Sequence, residues 1–283
     1  MITASRVKLG VSVFVVAISA SGFLAFSAQT DSTAHVSDIV RKSIAVNMAD
    51  WRAQPEYSHR ELDVKTKGSS NGGTRVEQSR TYEVTMIEGS PYYRLMAINN
   101  EPLSRAQEQQ ERTKLSREIR HRQDESASDR QTRIDKYQNE RSEEHLLMQQ
   151  MVAAFEFRYA GEQQVEGADC YVLDALPNPD YRPPVERARV LTGMKGRLWI
   201  DKAHFHWAKV EAEVTKPVEF ALFIAKVKPG TRFELDQAPV GDVWLPKSFT
   251  ESVNATVLGF YGMHSAEEEH YSDYQLNTLT AHR

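Results

Sequence analysis

The sequence holds one cysteine, Cys170, in 283 residues, so no disulfide can form within the chain even in an oxidising compartment. It also lacks a basic excess. With 35 Lys and Arg against 39 Asp and Glu, and a formal net charge of −4, it has no phosphate-neutralising surface, which argues against a nucleic-acid partner. Missing too are a Gly-rich phosphate loop, a Gly-x-Ser-x-Gly elbow and a His-Glu-x-x-His run. The chain therefore reads as non-catalytic and without a cofactor. Its longest apolar stretch falls short of the roughly 20 residues that a membrane-spanning helix needs.

What is present begins with a three-part leader. Arg6 and Lys8 precede an apolar run from Leu9 to Phe26, and small residues follow. Ala25 and Ser27 suit a signal peptidase, so cleavage is expected after Ser27, with Ala28 as the neighbouring alternative. An uncleaved anchor is the other reading, and Ser12, Ser19, Ser21 and Gly22 interrupt the run it would need. No cysteine stands at the end of the run, so the chain is not expected to be a lipoprotein acylated there on a cysteine. Cleavage removes two cations and no acid, taking the formal charge from −4 to −6 and leaving about 256 residues, enough for one sizeable core. The expectation is an exported protein of the periplasm or cell envelope.

Past the leader, Ile39, Val40, Ile44, Val46, Met48 and Trp51 predict a helix over 37–51, ended near Pro55. Alternation then predicts strands over 57–67, 74–87 and 92–98, with Gly68 to Gly73 and Gly89-Ser90-Pro91 as turns. Between Pro102 and Gln150 the chain is dense in charge, which favours helix. From Ser104 to His145 the large apolar residues are Leu115, Ile119, Ile134 and Tyr137, too few to bury a full helical face. This predicts a solvent-bathed helical arm broken near 125–129, whose end at Leu146, Leu147, Met148, Met151, Val152 and Phe155 docks on the sheet. Such an arm is either a charged excursion or a surface for a protein partner. Further strands are expected over 155–164, 169–175, 197–200, 205–215, 231–240, 243–260 and 264–276. Pro217 to Val227, nearly all apolar, fits a buried strand, a greasy loop or a short helix at a cavity mouth. About ten strands with short connections make a large antiparallel sheet that must curl or be covered.

Few side chains invite chemistry. His204 and His206 lie two apart, with His264 or His270 as a third metal ligand, yet the wetter face of a strand explains them and no metal is expected. Glu211 and Glu213 beside Lys209 read as a solvated ladder, and Glu267, Glu268 and Glu269 as an exposed hairpin. Apolar residues of one parity carry the remaining signal. Phe157 and Tyr159, Leu198 and Ile200, Phe233 and Leu235, then Phe249, Val253 and Val257 face inward on a curved sheet. They are core if helices fill the hollow, or a lining for acyl chains if a gap remains.

Within residues 155 to 260, five strings resemble the bacterial outer-membrane lipoprotein-sorting-like proteins. They are Gly161 to Gly167, Cys170 to Leu173, Pro179 to Pro184, Gly196 to Asp201 and Val243 to Pro246. The resemblance implies an open, curved antiparallel half-barrel with helices on its concave side. The long arm and the Arg182-Pro183-Pro184 loop depart from the carrier within that superfamily. The fold expected is α+β and β-dominated: residues 1–27 a signal peptide, residues 28–283 one half-barrel domain with a helical insertion at 102–154. The function expected is non-catalytic binding of a hydrophobic ligand, a lipid or the acyl chains of a lipoprotein. Phe220, Leu222 and Phe223 would act as a gate that touches the membrane transiently. The alternative is an envelope scaffold or sensor that binds a protein through the arm.

Overall fold

The computed structural model describes residues 21–68, 74–220, 225–257 and 261–277, so most of the segment expected as a signal peptide and residues 221–224 lie outside them. Helix α1 runs Ser21–Ala53, longer toward the N-terminus than the periodicity of 37–51 suggests. Three strands follow, β1 (Tyr57–Gly68), β2 (Thr74–Ile87) and β3 (Ser90–Ile98), with the two-residue β4 (Glu101–Pro102) beside the last. Helices α2 (Arg105–Asp124) and α3 (Ala127–Ala154) form a hairpin broken at Glu125 and Ser126. Ser104 starts α2 with a capping box, its hydroxyl accepting from the Gln107 N–H while the Gln107 side chain accepts from the Ser104 N–H. Ser126 caps α3 by accepting from the Asp129 N–H at 3.1 Å.

The second run of strands is β5 (Phe155–Val165), β6 (Ala168–Pro177), β7 (Met194–Asp201), β8 (Trp207–Val214), β9 (Val218–Phe220), β10 (Ala225–Val227), β11 (Arg232–Val240), β12 (Val243–Val257) and β13 (Tyr261–Leu276). A 3-10 helix at Glu186–Gly193, which the sequence pattern does not announce, precedes β7. Of the apolar stretch from Pro217, residues 221–224 lie outside the described residues. On either side of them stand β9 and β10, paired with each other, with β10 laid on β12.

All pairings are antiparallel, and the strands form one sheet in the order β4-β3-β2-β1-β13-β12-β11-β8-β7-β6-β5. The sheet is open, with β4 and β5 at its two ends, and does not close into a barrel. The C-terminal strand β13 pairs with β1 from the other end of the chain, so it joins the two halves of the sheet. At the β5–β6 hairpin Glu166 (φ 50°) and Gly167 (φ 80°) both take the left-handed conformation, the backbone of a two-residue turn that matches strand twist.

Two apolar clusters lie on the helix-covered face. Under α1, Val36, Ile39 and Val40 meet Leu173, Leu198, Ile200 and Trp207. Next to them Ala154 and Phe155 meet Ala175, Tyr181, Leu191, Met194 and Val214. Met151 of α3 and Phe157 of β5 touch both clusters, so α1 and the end of α3 share one floor. Two buried polar contacts fix the pose of α1: Trp207 Nε1 donates to Ser43 Oγ at 3.1 Å, and His206 Nδ1 lies 2.6 Å from Asp50 Oδ2. The opposite face has a smaller cluster, in which Cys170 and Val172 pack with Trp199, Ala208 and Trp244. Burial pushes the Cys170 thiol up to about 11, so it behaves as a small apolar side chain.

Replacing Leu198, which is fully buried beneath α1, with Ala is expected to cost about 2 to 5 kcal/mol, because the cavity opens in a close-packed floor. Urea denaturation of the two proteins measures this. A loss well below that range would mean that the floor under α1 already has slack.

Candidate functional site

Strand register carries one line of side chains across the covered face, and that line changes character midway. Leu198 stands opposite Val210, Val210 opposite Leu235, and Leu235 opposite Phe249. Phe249 is then opposite Glu269, and Glu269 opposite Asp63. Residues facing each other across an antiparallel pair share a face. An apolar floor therefore runs from β6 to β12 and becomes an acidic row on β13 and β1.

The residues predicted to line a hollow divide along this floor. Leu198 and Ile200 are wholly buried beneath α1 and have no free surface. Phe157 and Phe233 are half-buried and pack against the clusters. Leu235, Phe249 and Val253 are half-buried farther along. Tyr159 is half exposed on β5, the strand at the sheet's end. The backbone of Phe220 ends β9 and Val257 pairs with Ala225, but their side chains, and all of Leu222 and Phe223, lie outside the described residues.

The acidic row was not foreseen. Glu267 and Glu269, expected on an exposed hairpin, sit inside β13 on the parity that faces the floor, opposite Lys65 and Asp63; Glu268 points the other way, 3.6 Å from His270. Glu251 of β12 pairs with Glu267, and Glu61 of β1 with Tyr271. Lys65 reaches Glu267 at 2.9 Å, while the Tyr271 hydroxyl donates to Glu269. Asp63 Oδ1 is buried and has no hydrogen-bond partner. Burial, then the charge and hydrogen bond of Glu61, then the charge of Glu269, raise the Asp63 carboxyl to about 7, against a smaller lowering by Lys65. Burial, followed by Glu267 and Glu269, also raises Glu251. Burial and the Glu269 carboxylate push the Tyr271 hydroxyl upward. Alternation along each strand was legible, but which strands become neighbours was not.

The helical hairpin also departs from the expectation of a solvent-bathed arm, because its tip is tied to the β2–β3 turn. Arg122 is buried, with Nη1 donating to Ile87 O at 2.9 Å, to Ser90 O at 2.8 Å and to Ser90 Oγ at 3.1 Å. Arg133 donates to Ser90 Oγ at 2.7 Å and to Glu88 O at 3.0 Å, and pairs with Glu125 at the tip. Ile134 rests on Gly89, where φ is 87° and a Cβ would come within 2.9 Å of it. The buried residues of α2 are Glu111 and Arg122, so polar groups hold it in place. At its other end α3 sits on β5 and on the 3-10 helix, so the hairpin reaches from one end of the sheet to the other.

The histidines differ from their expected placement. His204 and His206 lie in the turn before β8, not along a strand; His204 is exposed beside Asp201, and His206 is buried between Asp50 and the stacked ring of Trp244. Among the described residues no group of three His, Cys, Asp or Glu side chains is placed to hold a metal ion. Lys209 does bridge Glu211 and Glu234 as a surface ladder on the outer face. A surface cleft of about 390 Å³ lies at Pro183, Pro184, Val185, Glu186, Arg189 and Thr192, away from the apolar floor. A smaller one of about 60 Å³ lies on the acidic row around Asp63 and Glu267.

No family model matches the chain, and no curated protein does. Among solved structures it is similar to an outer membrane lipoprotein-sorting protein domain from Vibrio parahaemolyticus, at 11% identity and a TM-score of 0.33, covering 84% of this chain and 94% of that one. It is also similar to a LolA superfamily protein from Nitrosomonas europaea, at 10% identity and a TM-score of 0.28, covering 86% of this chain and 94% of that one. A third is the MucA/MucB complex of Pseudomonas aeruginosa, at 10% identity and a TM-score of 0.22, covering 81% of this chain and 93% of the matched one. The first carries the name of the group that the strings in residues 155 to 260 resemble. At such identities and TM-scores they say nothing of shared chemistry, and the architecture stands on strand order and register.

The acidic row sets a pH dependence. A carboxyl whose folded value is raised favours the fold most at low pH, and that stability is lost as pH climbs from the ordinary carboxylate range of about 4 through about 7. Asp63→Asn removes this dependence. Its melting temperature is expected to exceed that of the parent by a few degrees at pH 8, with the gap closing by pH 4, as read by calorimetry across that range. Equal slopes in the two proteins would mean that Asp63 titrates normally.

Proposed function

We propose that this chain is a non-enzymatic binding protein of the periplasm or cell envelope that holds an apolar ligand, a lipid or the acyl chain of a lipoprotein, on the floor beneath its helical cover. The observation that carries the reading is the contrast between floor and fastening. Phe233, Leu235, Phe249 and Val253 continue an apolar surface past the buried residues under α1 and are only half-buried. The helical hairpin on the same face is fastened at its tip by arginines on backbone carbonyls of the β2–β3 turn.

Magnitudes favour a cover of this kind. Each hydrogen bond from a charged arginine contributes about 1.5 to 3 kcal/mol net, since water replaces it when it breaks. Lifting an apolar helix face would instead expose surface at roughly 25 cal/mol per Å². The tip of the hairpin, where the first helix buries only Glu111 and Arg122, exposes little apolar surface when it rises, whereas Met151 and Ala154 keep the other end on the floor; every methylene then placed on the floor returns about 0.8 kcal/mol. On this reading Phe220, Leu222 and Phe223, which end or follow β9, would serve as the gate expected from the sequence. The segment 1–27 supplies the route of export. No described helix is long and apolar enough to cross a membrane.

A second reading has its own observation. Arg105, Arg117 and Arg120 stand exposed on α2 and make no ion pair among the described residues, as a protein-binding surface would require. Native mass spectrometry of the purified full chain separates the two. Co-purifying lipid is expected, and Leu235→Asp together with Phe249→Asp should abolish it while circular dichroism keeps the β signature. Arg122→Ala, which frees the tip, should speed lipid loss about tenfold, the effect of about 1.4 kcal/mol. A protein that emerges empty and gains no mass with added phospholipid rules out the carrier reading. Partner binding lost on Arg117→Glu and Arg120→Glu would then establish the second.

A further inference from the structure

The tip fastening leaves open what holds the hairpin to α1, and the answer is a buried histidine. His145 of α3 is 1% exposed, and its ring stacks on Trp51 of α1 with centroids 4.2 Å apart and planes 17° apart. Its Nε2 lies against the sulfur of Met48, while its Nδ1 is buried with no hydrogen-bond partner. The guanidinium of Arg141, one turn earlier on α3, covers the same Trp51 ring at 4.2 Å and donates to the Trp51 carbonyl. The joint between the two helices is thus a stack of imidazole, indole and guanidinium.

We propose that this joint is an acid-sensitive switch: protonation of His145 separates α3 from α1 and frees the α2–α3 hairpin. A neutral imidazole can sit between indole and thioether. A protonated one would be a buried cation whose Nδ1 has no acceptor. The charged groups that act on it are both cations, Arg141 from its own helix and Arg52 from α1. Of the nearby carboxylates, Asp50 of α1 is engaged by His206 and Glu143 of α3 by Arg187. No carboxylate among the described residues is placed to receive the proton's charge. Burial first, then Arg141 and Arg52, hold the His145 imidazole below the usual histidine range.

The sign follows from that direction. A histidine whose folded value is depressed leaves the joint at full strength above its unfolded value of about 6.5, and the contact weakens as pH falls below it. The effect opposes that of Asp63, which favours the fold at low pH, and the two act on different parts of the chain. This inference concerns the joint alone and does not require that a ligand occupy the floor.

Hydrogen exchange followed by mass spectrometry on the full chain reads the switch region by region. Moving from about pH 7.5 to about pH 5, protection of amides in 137–150 is expected to fall about tenfold beyond the intrinsic pH effect, while β6 and β7 keep theirs. His145→Phe keeps the stack without a titrating group and should hold the hairpin closed at the lower pH. Loosening in His145→Phe equal to the parent, or unchanged protection in the parent, overturns the proposal. Should that variant fold poorly, the carbon-bound proton resonances of His145 in the unaltered protein decide. Titration below the ordinary histidine range supports the switch, and titration at or above it overturns the switch.

Discussion

The structure depends on the packing of α1 against a single sheet face through Ile39, Val40, Leu173, Leu198, Ile200 and Trp207. An antiparallel sheet with free ends has an apolar face to hide and no second sheet to hide it against. Here the cover is helical. Burying that floor sets the position of α1, and with it Asp50 against His206, Ser43 against Trp207, and Trp51 where α3 can reach it. The remaining helices take their bearings from α1 and from the β2–β3 turn.

Two kinds of contact therefore coexist over one face. Close-packed apolar side chains under α1 resist opening, because any separation exposes surface and leaves voids. The hairpin is held at its far end by Met151 and Ala154 in the apolar clusters of that face, but toward its tip by Arg122 and Arg133 and by the His145 stack, contacts that depend on charge and protonation. A cover built this way divides into a fixed part and a releasable part. The half-buried side chains of β11 and β12 lie past the floor that α1 seals, and the binding reading draws on that placement.

The acidic row shows a constraint of another kind. Five carboxyl groups, Glu61, Asp63, Glu251, Glu267 and Glu269, come together on three adjacent strands, with Lys65 as the cation paired to Glu267. Shared protons and tyrosine hydroxyls, as in Tyr271 donating to Glu269, let such a row exist on a partly buried face. Burial, then the neighbouring Glu61 and Glu269 carboxyls, move the Asp63 carboxyl to about 7, so it stays partly protonated near neutrality.

Much of the fold was readable along the chain. Period-two alternation located the long strands, Gly89 and Gly167 located their turns, and the charge-dense stretch after Pro102 located two helices with a break near residue 125. Each of these is a local property, set by backbone sterics and by which side of an element meets water. Contacts between distant segments were not readable. Asp63 and Glu269 are about 200 residues apart and meet only because β13 closes on β1; Arg122 looks like any surface cation of α2 until the β2–β3 turn surrounds it. Strand pairing and helix docking minimise exposed apolar area over the whole molecule, and no window of the sequence contains that sum. The sequence by itself thus determined the elements and the apolar parity of the floor, whereas tertiary structure decided which face turned acidic, which cation was buried and where the cover is fastened.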